Sequence, residues 1–307
     1  MHRLARQAFL LLYFLICAGR AQASDIAVLV SEEGGAYGEF TTALQNGLEG
    51  SPWRIRWVGT PATAAPLPKT DLLVTVGSEA TRVALSRGDR PPIFSALIPR
   101  ATFEKLTADM GTRPRGTVSA LFLDQPVSRF LNLISLVLPE SKRIGLLSSP
   151  ETVPLLSSLR HAAQGQGFRV ENEEVEINSE PVAALNRLLA RSDLLLALPD
   201  TRIYKRENTR AILLTTFRHQ KPVIAFSAGY VGAGALAAVF STPSQLGRQT
   251  SELVRALKSE NVTLPPPAYP IHYSLSVNRS VAQSLGLNPA EDAMLLKALT
   301  AADKENR

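Results

Sequence analysis

The chain has 307 residues, one of them cysteine, with 45% apolar side chains and 33 basic residues against 27 acidic ones. That much apolar material supports a substantial core, and the length suggests two domains. A single cysteine excludes an internal disulfide and a multi-thiolate metal site, and the basic residues form no dense phosphate-tracking stripe, so nucleic acid is not an expected partner.

Arg3 and Arg6 precede an apolar run from Ala8 to Ala18, and Ala21-Gln22-Ala23 sets small residues where a signal peptidase reads. Residues 1–23 therefore read as a cleaved secretory signal, with a mature chain from Ser24 and a periplasmic destination. The apolar run is too short to span about 30 Å of hydrocarbon. Lipid modification at Cys17 is disfavoured because Ile16 is bulky where such signals carry a small residue. Arg3, Arg6 and Arg20 would leave with the signal, halving the formal charge of +6.

Strands and helices then alternate, the pattern of an α/β fold. Ile26–Val30 is apolar throughout and stops at Ser31-Glu32-Glu33-Gly34-Gly35, ahead of a helix to Leu48. Arg54–Val58 alternates, and Leu72–Val76 stops at Gly77-Ser78-Glu79, where Ser78 is placed to cap the next helix. The connection Thr60–Lys69 is near the dozen-residue minimum for a crossover between parallel strands and reads as non-helical. Ile93–Leu97 ends at Ile98-Pro99-Arg100, and Val118–Phe122 ends at Leu123-Asp124-Gln125-Pro126.

The pattern restarts with a helix over Val127–Leu138, whose Phe130, Leu131, Ile134 and Leu138 recur at helical spacing. Arg143–Leu147 is a strand ending at Ser148-Ser149-Pro150-Glu151, with a helix over Pro154–Gln164 and a strand over Arg169–Ile177 behind it. The apolar run Leu194–Leu198 stops at Pro199-Asp200-Thr201; an amphipathic stretch with Ile212, Leu213, Thr216 and Phe217 follows. A second run, Val223–Phe226, stops at Ser227-Ala228-Gly229-Tyr230. This is β-α-β with parallel strands buried on both faces.

Beyond residue 241, a helix opens at Thr242-Pro243-Ser244, Pro265-Pro266-Pro267 forces an extended stretch, Tyr273–Val277 alternates and Asn278 caps a short helix. Such a tail is too small to be a domain, so it is predicted to cross back between the halves. The expected architecture is two doubly wound parallel-sheet lobes joined by hinge strands. One lobe holds 24–122 plus about 242–270, the other 123–241 plus about 271–307. A cleft between them is the expected ligand site.

In doubly wound sheets, ligands lie beyond the carboxyl ends of the strands. Ser78, Ser148 and Ser149 sit just past strands and before helices, where hydroxyls and free amides suit a carboxylate, although plain N-capping accounts for the same placement. Asp200 would accept from an ammonium or hydroxyl group, or cap the helix beginning near Tyr204; Glu151 is a similar case. Tyr230 and Tyr204 either cover a ligand's apolar part or pack within their own lobe, and Glu32 and Tyr37 approach from the other side.

Catalysis finds no support in the pattern. His161, His219 and His272 are isolated, no Gly-x-Ser-x-Gly elbow is present, and Glu32-Glu33 and Glu173-Glu174 are adjacent pairs that point apart. Gly34-Gly35-Ala36-Tyr37-Gly38 and the glycines at 229, 232 and 234 miss the nucleotide-binding spacings. No cofactor is expected.

The stretches GSEATRVAL (77–85), LPESKRIGLLSSPET (138–152), DLLLALPDT (193–201), KPVIAFSAGYVGAGALAAV (221–239) and QLGRQTSELV (245–254) carry a family resemblance, in order and in register from about residue 70 to 286. The chain resembles the extracytoplasmic substrate-binding proteins of ABC transporters, related to type I periplasmic binding proteins. The resemblance implies two lobes closing on a small solute, commonly an amino acid or related carboxylate, for delivery to a permease by a monomer. It places ligand contacts on Gly77, Ser78, Glu79, Ala80, Ser148, Ser149, Glu151, Asp200, Thr201 and Ser227, with Tyr230 beside them. The family tends to carry Asp-Pro after the fourth strand, whereas here Pro99 is followed by Arg100, which would favour an anionic ligand if it faces inward. A non-transport sensor or binding module of the same fold stays open as an alternative.

Overall fold

The structure, a computed structural model, describes residues 24–63, 66–87, 91–108, 117–150, 152–176, 179–200, 202–258 and 261–305. The expected signal at 1–23 and the candidate residues Glu151 and Thr201 lie outside the described residues.

The first sheet has five strands in the order β2-β1-β3-β4-β5: β1 Ser24–Val30, β2 Trp53–Gly59, β3 Leu72–Val76, β4 Ile93–Ile98 and β5 Val118–Phe122. All its pairings are parallel. The central strands β1, β3 and β4 are buried along nearly their whole length, as their largely apolar sequences require, while the edge strand β2 alternates. Helices α1 (Gly35–Leu48), α2 (Ser78–Leu85) and α3 (Arg100–Ala108) connect them. The crossover after β2 contains no helix among the described residues.

Side chains of α1 fill one face of this sheet with Phe40, Leu44 and Leu48, and α2 fills the other with Ala80, Ala84 and Leu85. The late helix α9 (Pro243–Arg255) returns to this lobe and packs on α1 through Leu246 and Val254. Bare backbone permits the close approach. A Cβ on Gly247 would fall 2.4 Å from the Phe40 carbonyl oxygen, and one on Gly47 would fall 2.0 Å from Ser251 Oγ.

The second sheet has six strands in the order β11-β10-β9-β8-β6-β7, with β6 Arg143–Ser148, β7 Arg169–Glu174, β8 Leu194–Leu196, β9 Val223–Ala225, β10 Ala237–Phe240 and β11 Ser274–Val277. Only the β10–β11 pairing is antiparallel. Leu194, Leu196 and Leu198 face a core built with α4 (Val127–Val137), α5 (Leu156–Gly165) and α11 (Asp292–Glu305). Leu195 and Ala197 face a second core with α6 (Pro181–Leu189), α7 (Arg206–Arg218) and α8 (Ala228–Ala233). The apolar run 194–198 thus reads correctly as two-sided burial, although ladder pairing covers only its first three residues. A short helix α10 (Arg279–Ser284) is capped by Asn278, whose Oδ1 accepts from the Val281 amide at 3.0 Å.

Three segments cross between the lobes: 123–126 from β5 to α4, 241–242 from β10 to α9, and 269–273 from the first lobe to β11. The third is anchored beside β5, where the Phe122 amide donates to the Ala268 carbonyl and the Ala268 amide to that of Ala120, both at 2.9 Å. Two crossings leave from strand carboxyl ends, so the carboxyl ends of both sheets lie next to the hinge.

Candidate functional site

In the first lobe, β1 ends at Ser31 and β3 at Gly77. The Ser31 hydroxyl donates to the Val76 carbonyl at 3.1 Å and accepts from the Ala80 amide at 3.0 Å. Ser31 therefore supplies the capping oxygen of α2 from a neighbouring strand. This corrects the expectation that Ser78 is the cap: Gly77 occupies the N-cap position and Ser78 is the first helical residue, half-buried. Gly77 has φ of 95°, and a Cβ there would lie 2.4 Å from Ser31 Oγ and 2.8 Å from the Tyr37 ring. The Ser78 and Glu79 amides, first in the helix, have no intrahelical acceptor, which leaves them suited to an anionic group.

Two residues expected here turn elsewhere. Glu79 is exposed and its carboxylate is held by Arg82 at 2.9 and 2.5 Å, a hydrogen bond that lowers its pKa. Arg100 opens α3, but its guanidinium donates to Glu104 at 2.6 Å and to Tyr269 Oη at 2.8 Å. Those partners occupy the cation that sequence reasoning offered to an anionic ligand. Its amide donates to Asp124 Oδ2 at 2.5 Å, and burial pushes the Asp124 carboxyl upward. The strand leading to it contains Leu97 at φ of 50°, where β4 shifts register against β5. A leucine in the left-handed region costs about 1 kcal/mol or more, and no turn residue in the sequence marks it.

In the second lobe the tips are joined by side chains. Asp200, only 4% exposed, accepts from the Arg202 and Ile203 amides on Oδ1, both at 3.0 Å. Its Oδ2 accepts from the hydroxyls of Ser149 at 2.7 Å and Thr152 at 3.0 Å. The Thr152 hydroxyl in turn accepts from the Ser149 amide at 3.0 Å. Four protein donors match the acceptor capacity of a carboxylate. Asp200 therefore ties the β6 and β8 tips together, and it is not the cap of α7, whose N-cap is Lys205. Thr152 is the member of this set that sequence reasoning missed; a hydroxyl three residues after Ser149 is its only signal.

Next to this knot the Ser148 hydroxyl is buried with no hydrogen-bond partner, and so is the Tyr204 hydroxyl. Buried polar atoms of this kind are rare and need an explanation. Ser227 caps α8, accepting from the Tyr230 amide at 3.4 Å. Tyr230 is itself buried: its hydroxyl donates to the Tyr204 carbonyl at 3.0 Å, and its ring lies 5.1 Å from Phe226 and 6.0 Å from Tyr204. Burial raises the pKa of both tyrosines. Of this trio only Phe226, which the sequence reading did not single out, is half-exposed.

The histidine side chains take no part in these hydrogen bonds of Asp200, Ser149 and Ser227. His219 meets Asn186 at 2.8 Å, His272 meets Glu252 at 2.8 Å and His161 is exposed. Among the described residues no group of metal-ligating side chains is present, and no helix is long and apolar enough to cross a membrane. A cavity of about 190 Å³ lies behind the hinge beside His272 and Tyr273, and one of about 340 Å³ lies at the amino end of β2 beside Trp53; neither reaches the tips.

Known proteins share this fold. A relative named as a tyrosine-binding protein from Clostridioides difficile is 24% identical over 199 residues, covering 63% of this chain and 56% of the relative, so the chain spans little more than half of that relative's length. A ligand-free, open substrate-binding protein with adhesive properties from Clostridium difficile superposes with a TM-score of 0.70 at 20% identity, covering 88% of this chain and 97% of the other. A domain from Streptococcus pneumoniae in complex with L-Trp gives 0.62 at 20% identity, covering 89% and 98%. These structures have the same two-lobed α/β fold. Residues 67–301 match the family described as ABC transporter substrate binding protein. The chain belongs to the ABC transporter substrate-binding protein family.

Proposed function

We propose that this protein captures a small polar solute, an amino acid or related carboxylate, between the strand tips of its two lobes and delivers it to an ABC permease from the periplasm, without catalysing a reaction. What supports the reading is that the strand tips of both sheets lie beside the hinge, one offering the free amides at the start of α2 and the other the Ser149–Thr152–Asp200 knot. The α2 amides at Ser78 and Glu79, beside Gly77 and Ala80, suit the solute carboxylate. The unpartnered Ser148 hydroxyl and the Ser227 hydroxyl suit its remaining polar groups, with Phe226 against its apolar part. In this reading Asp200 shapes the site through Ser149 and Thr152, and Arg100, Glu79 and Tyr230 stand behind it. The lobes divide near 122 and 241, with 242–270 returning to the first lobe and 271–307 to the second.

Closure follows from linkage: a solute that touches both lobes only when they are shut shifts the population toward the closed form. The test is a thermal-shift screen of free amino acids and small carboxylates, with the aromatic amino acids first because the curated relative is named for tyrosine. A cognate solute at 100 times its dissociation constant should add about 2.7 kcal/mol of stability. A flat response across the library overturns the proposal.

A further inference from the structure

Behind the tips lies a cation that a solute site does not need. Arg129, in the first turn of α4, is 3% exposed, and arginine is rarely buried to this degree unless paired. Its Nε and Nη2 both meet Asp303 Oδ2 at 2.6 Å. Nη1 donates to the Pro270 carbonyl at 3.0 Å and to the Gln125 side-chain oxygen. The guanidinium lies over the Tyr273 ring, 3.8 Å from its centre. Gln125 extends the network: its Nε2 donates to Ser241 Oγ at 2.9 Å, and the Ser241 hydroxyl donates to the His272 carbonyl at 2.7 Å.

These partners are not scattered. Gln125 belongs to the first crossing, Ser241 to the second, and Pro270, His272 and Tyr273 to the third, while Asp303 comes from the last helix, α11. One guanidinium thus reaches every segment that must flex when the lobes rotate, directly or through one glutamine, and clasps the C-terminal helix to them. Arginine suits this because its donors form a rigid planar fork that fixes directions as well as distances, which lysine cannot do. A buried ion pair is seldom a gain over well-packed apolar residues, so bulk stability does not by itself account for one placed here.

We propose that the Arg129–Asp303 knot is the pivot of the hinge: it holds the three crossings in one register and so sets the range of lobe separations available before a solute arrives. Arg129 is a positioning residue and does not touch the solute. The consequence for binding rests on the capture reading above; the consequence for lobe separation does not. A loosened pivot spreads the lobes over more arrangements, and apparent affinity falls with the fraction that remains competent to close.

The experiment reads that range directly. Cys17 is the only cysteine in the chain, so Cys17→Ser leaves Gln45→Cys on α1 and Ala211→Cys on α7 as the only labelling sites, both on exposed positions of opposite lobes. Spin-label distance distributions are recorded without solute, well below the melting temperature, for this background and for Asp303→Asn and Arg129→Lys within it. The expected result is a broader distribution in both variants, with Arg129→Lys intermediate because it keeps the charge and loses the fork. Where a cognate solute is in hand, its dissociation constant should rise in the same order. A variant that melts earlier yet keeps the parent distribution overturns the proposal, since Arg129 would then be a stabiliser only. A parent chain that answers no solute overturns the capture reading, while the solute-free widths still decide this one.

Discussion

The two sets of strand tips are built in opposite ways. In the second lobe, side chains do the work: one buried carboxylate gathers two hydroxyls and two amides from separate turns into a single knot. In the first lobe, backbone does it: Gly77 at positive φ lets the chain pass beneath Ser31 and Tyr37, and the start of α2 supplies the donors. A knot of that kind is rigid before any solute arrives, whereas a helix start offers a directional field with few fixed partners. The contrast predicts that the second lobe is the more sensitive to loss of a charge and the first to gain of a methyl group.

The largest effect should come from Asp200→Ala. It removes the acceptor shared by the Ser149 and Thr152 hydroxyls and the Arg202 and Ile203 amides in a buried site. Removing one partner from a buried, charge-assisted network costs about 3–4 kcal/mol. Urea denaturation should register that loss together with loss of solute binding. Loss of binding at unchanged stability would instead mean that Asp200 meets the solute directly and that the knot contributes little.

Next in size is Gly77→Ala, which challenges the first lobe alone. The added Cβ would meet Ser31 Oγ at 2.4 Å and the Tyr37 ring at 2.8 Å, on a backbone at φ of 95°. Strain of this kind costs about 2–3 kcal/mol. Amide exchange should locate the damage in β1, β3 and α2 and leave the second lobe protected. Loosening that spread equally to both lobes would break the distinction drawn between them.

Part of this design was readable in the residues. Unbroken apolar runs at 26–30 and 194–198, and the run at 72–76 interrupted only by Thr75, signal buried parallel strands because both faces must be largely apolar, and the alternation at 54–58 signals an edge. The strand tips follow, because chemistry gathers where such runs stop. The partners at the tips were not readable, since they come from far along the chain. Ser31 caps a helix that begins at residue 78, so local reading assigned the role to Ser78. Asp200 reads as an acceptor awaiting a guest, because its donors at 149 and 152 belong to another turn. Arg129 sits beside a clean apolar stripe, Phe130, Leu131 and Ile134, and passes for a surface charge until Asp303 and Pro270 are brought beside it. The bulge at Leu97 has no residue-type signature at all.

The smallest effect sharpens the comparison by moving to the other end of the same strand. Asp193 precedes β8 as Asp200 follows it, and it too binds a neighbouring strand. Its carboxylate accepts from the Lys142 and Arg143 amides at 2.9 and 2.8 Å and from the Arg143 guanidinium at 2.7 Å. Partial burial pushes its pKa upward, but the Arg143 guanidinium and the two amides outweigh that and hold it down at about 2. A carboxyl depressed on folding stabilises the protein fully above its unfolded value of about 4. That contribution is lost as pH falls through about 2, where the folded group protonates. Arg143 is half-exposed, so solvent screening reduces the effect to about 1–2 kcal/mol. Asp193→Asn should therefore lower urea stability by that amount at pH 7 and draw level with the parent protein near pH 2, with solute affinity unchanged throughout. An affinity loss would mean that the amino end of β8 is coupled to its tip, and the separation between a clamp that only stabilises and a knot that also shapes the site would fail.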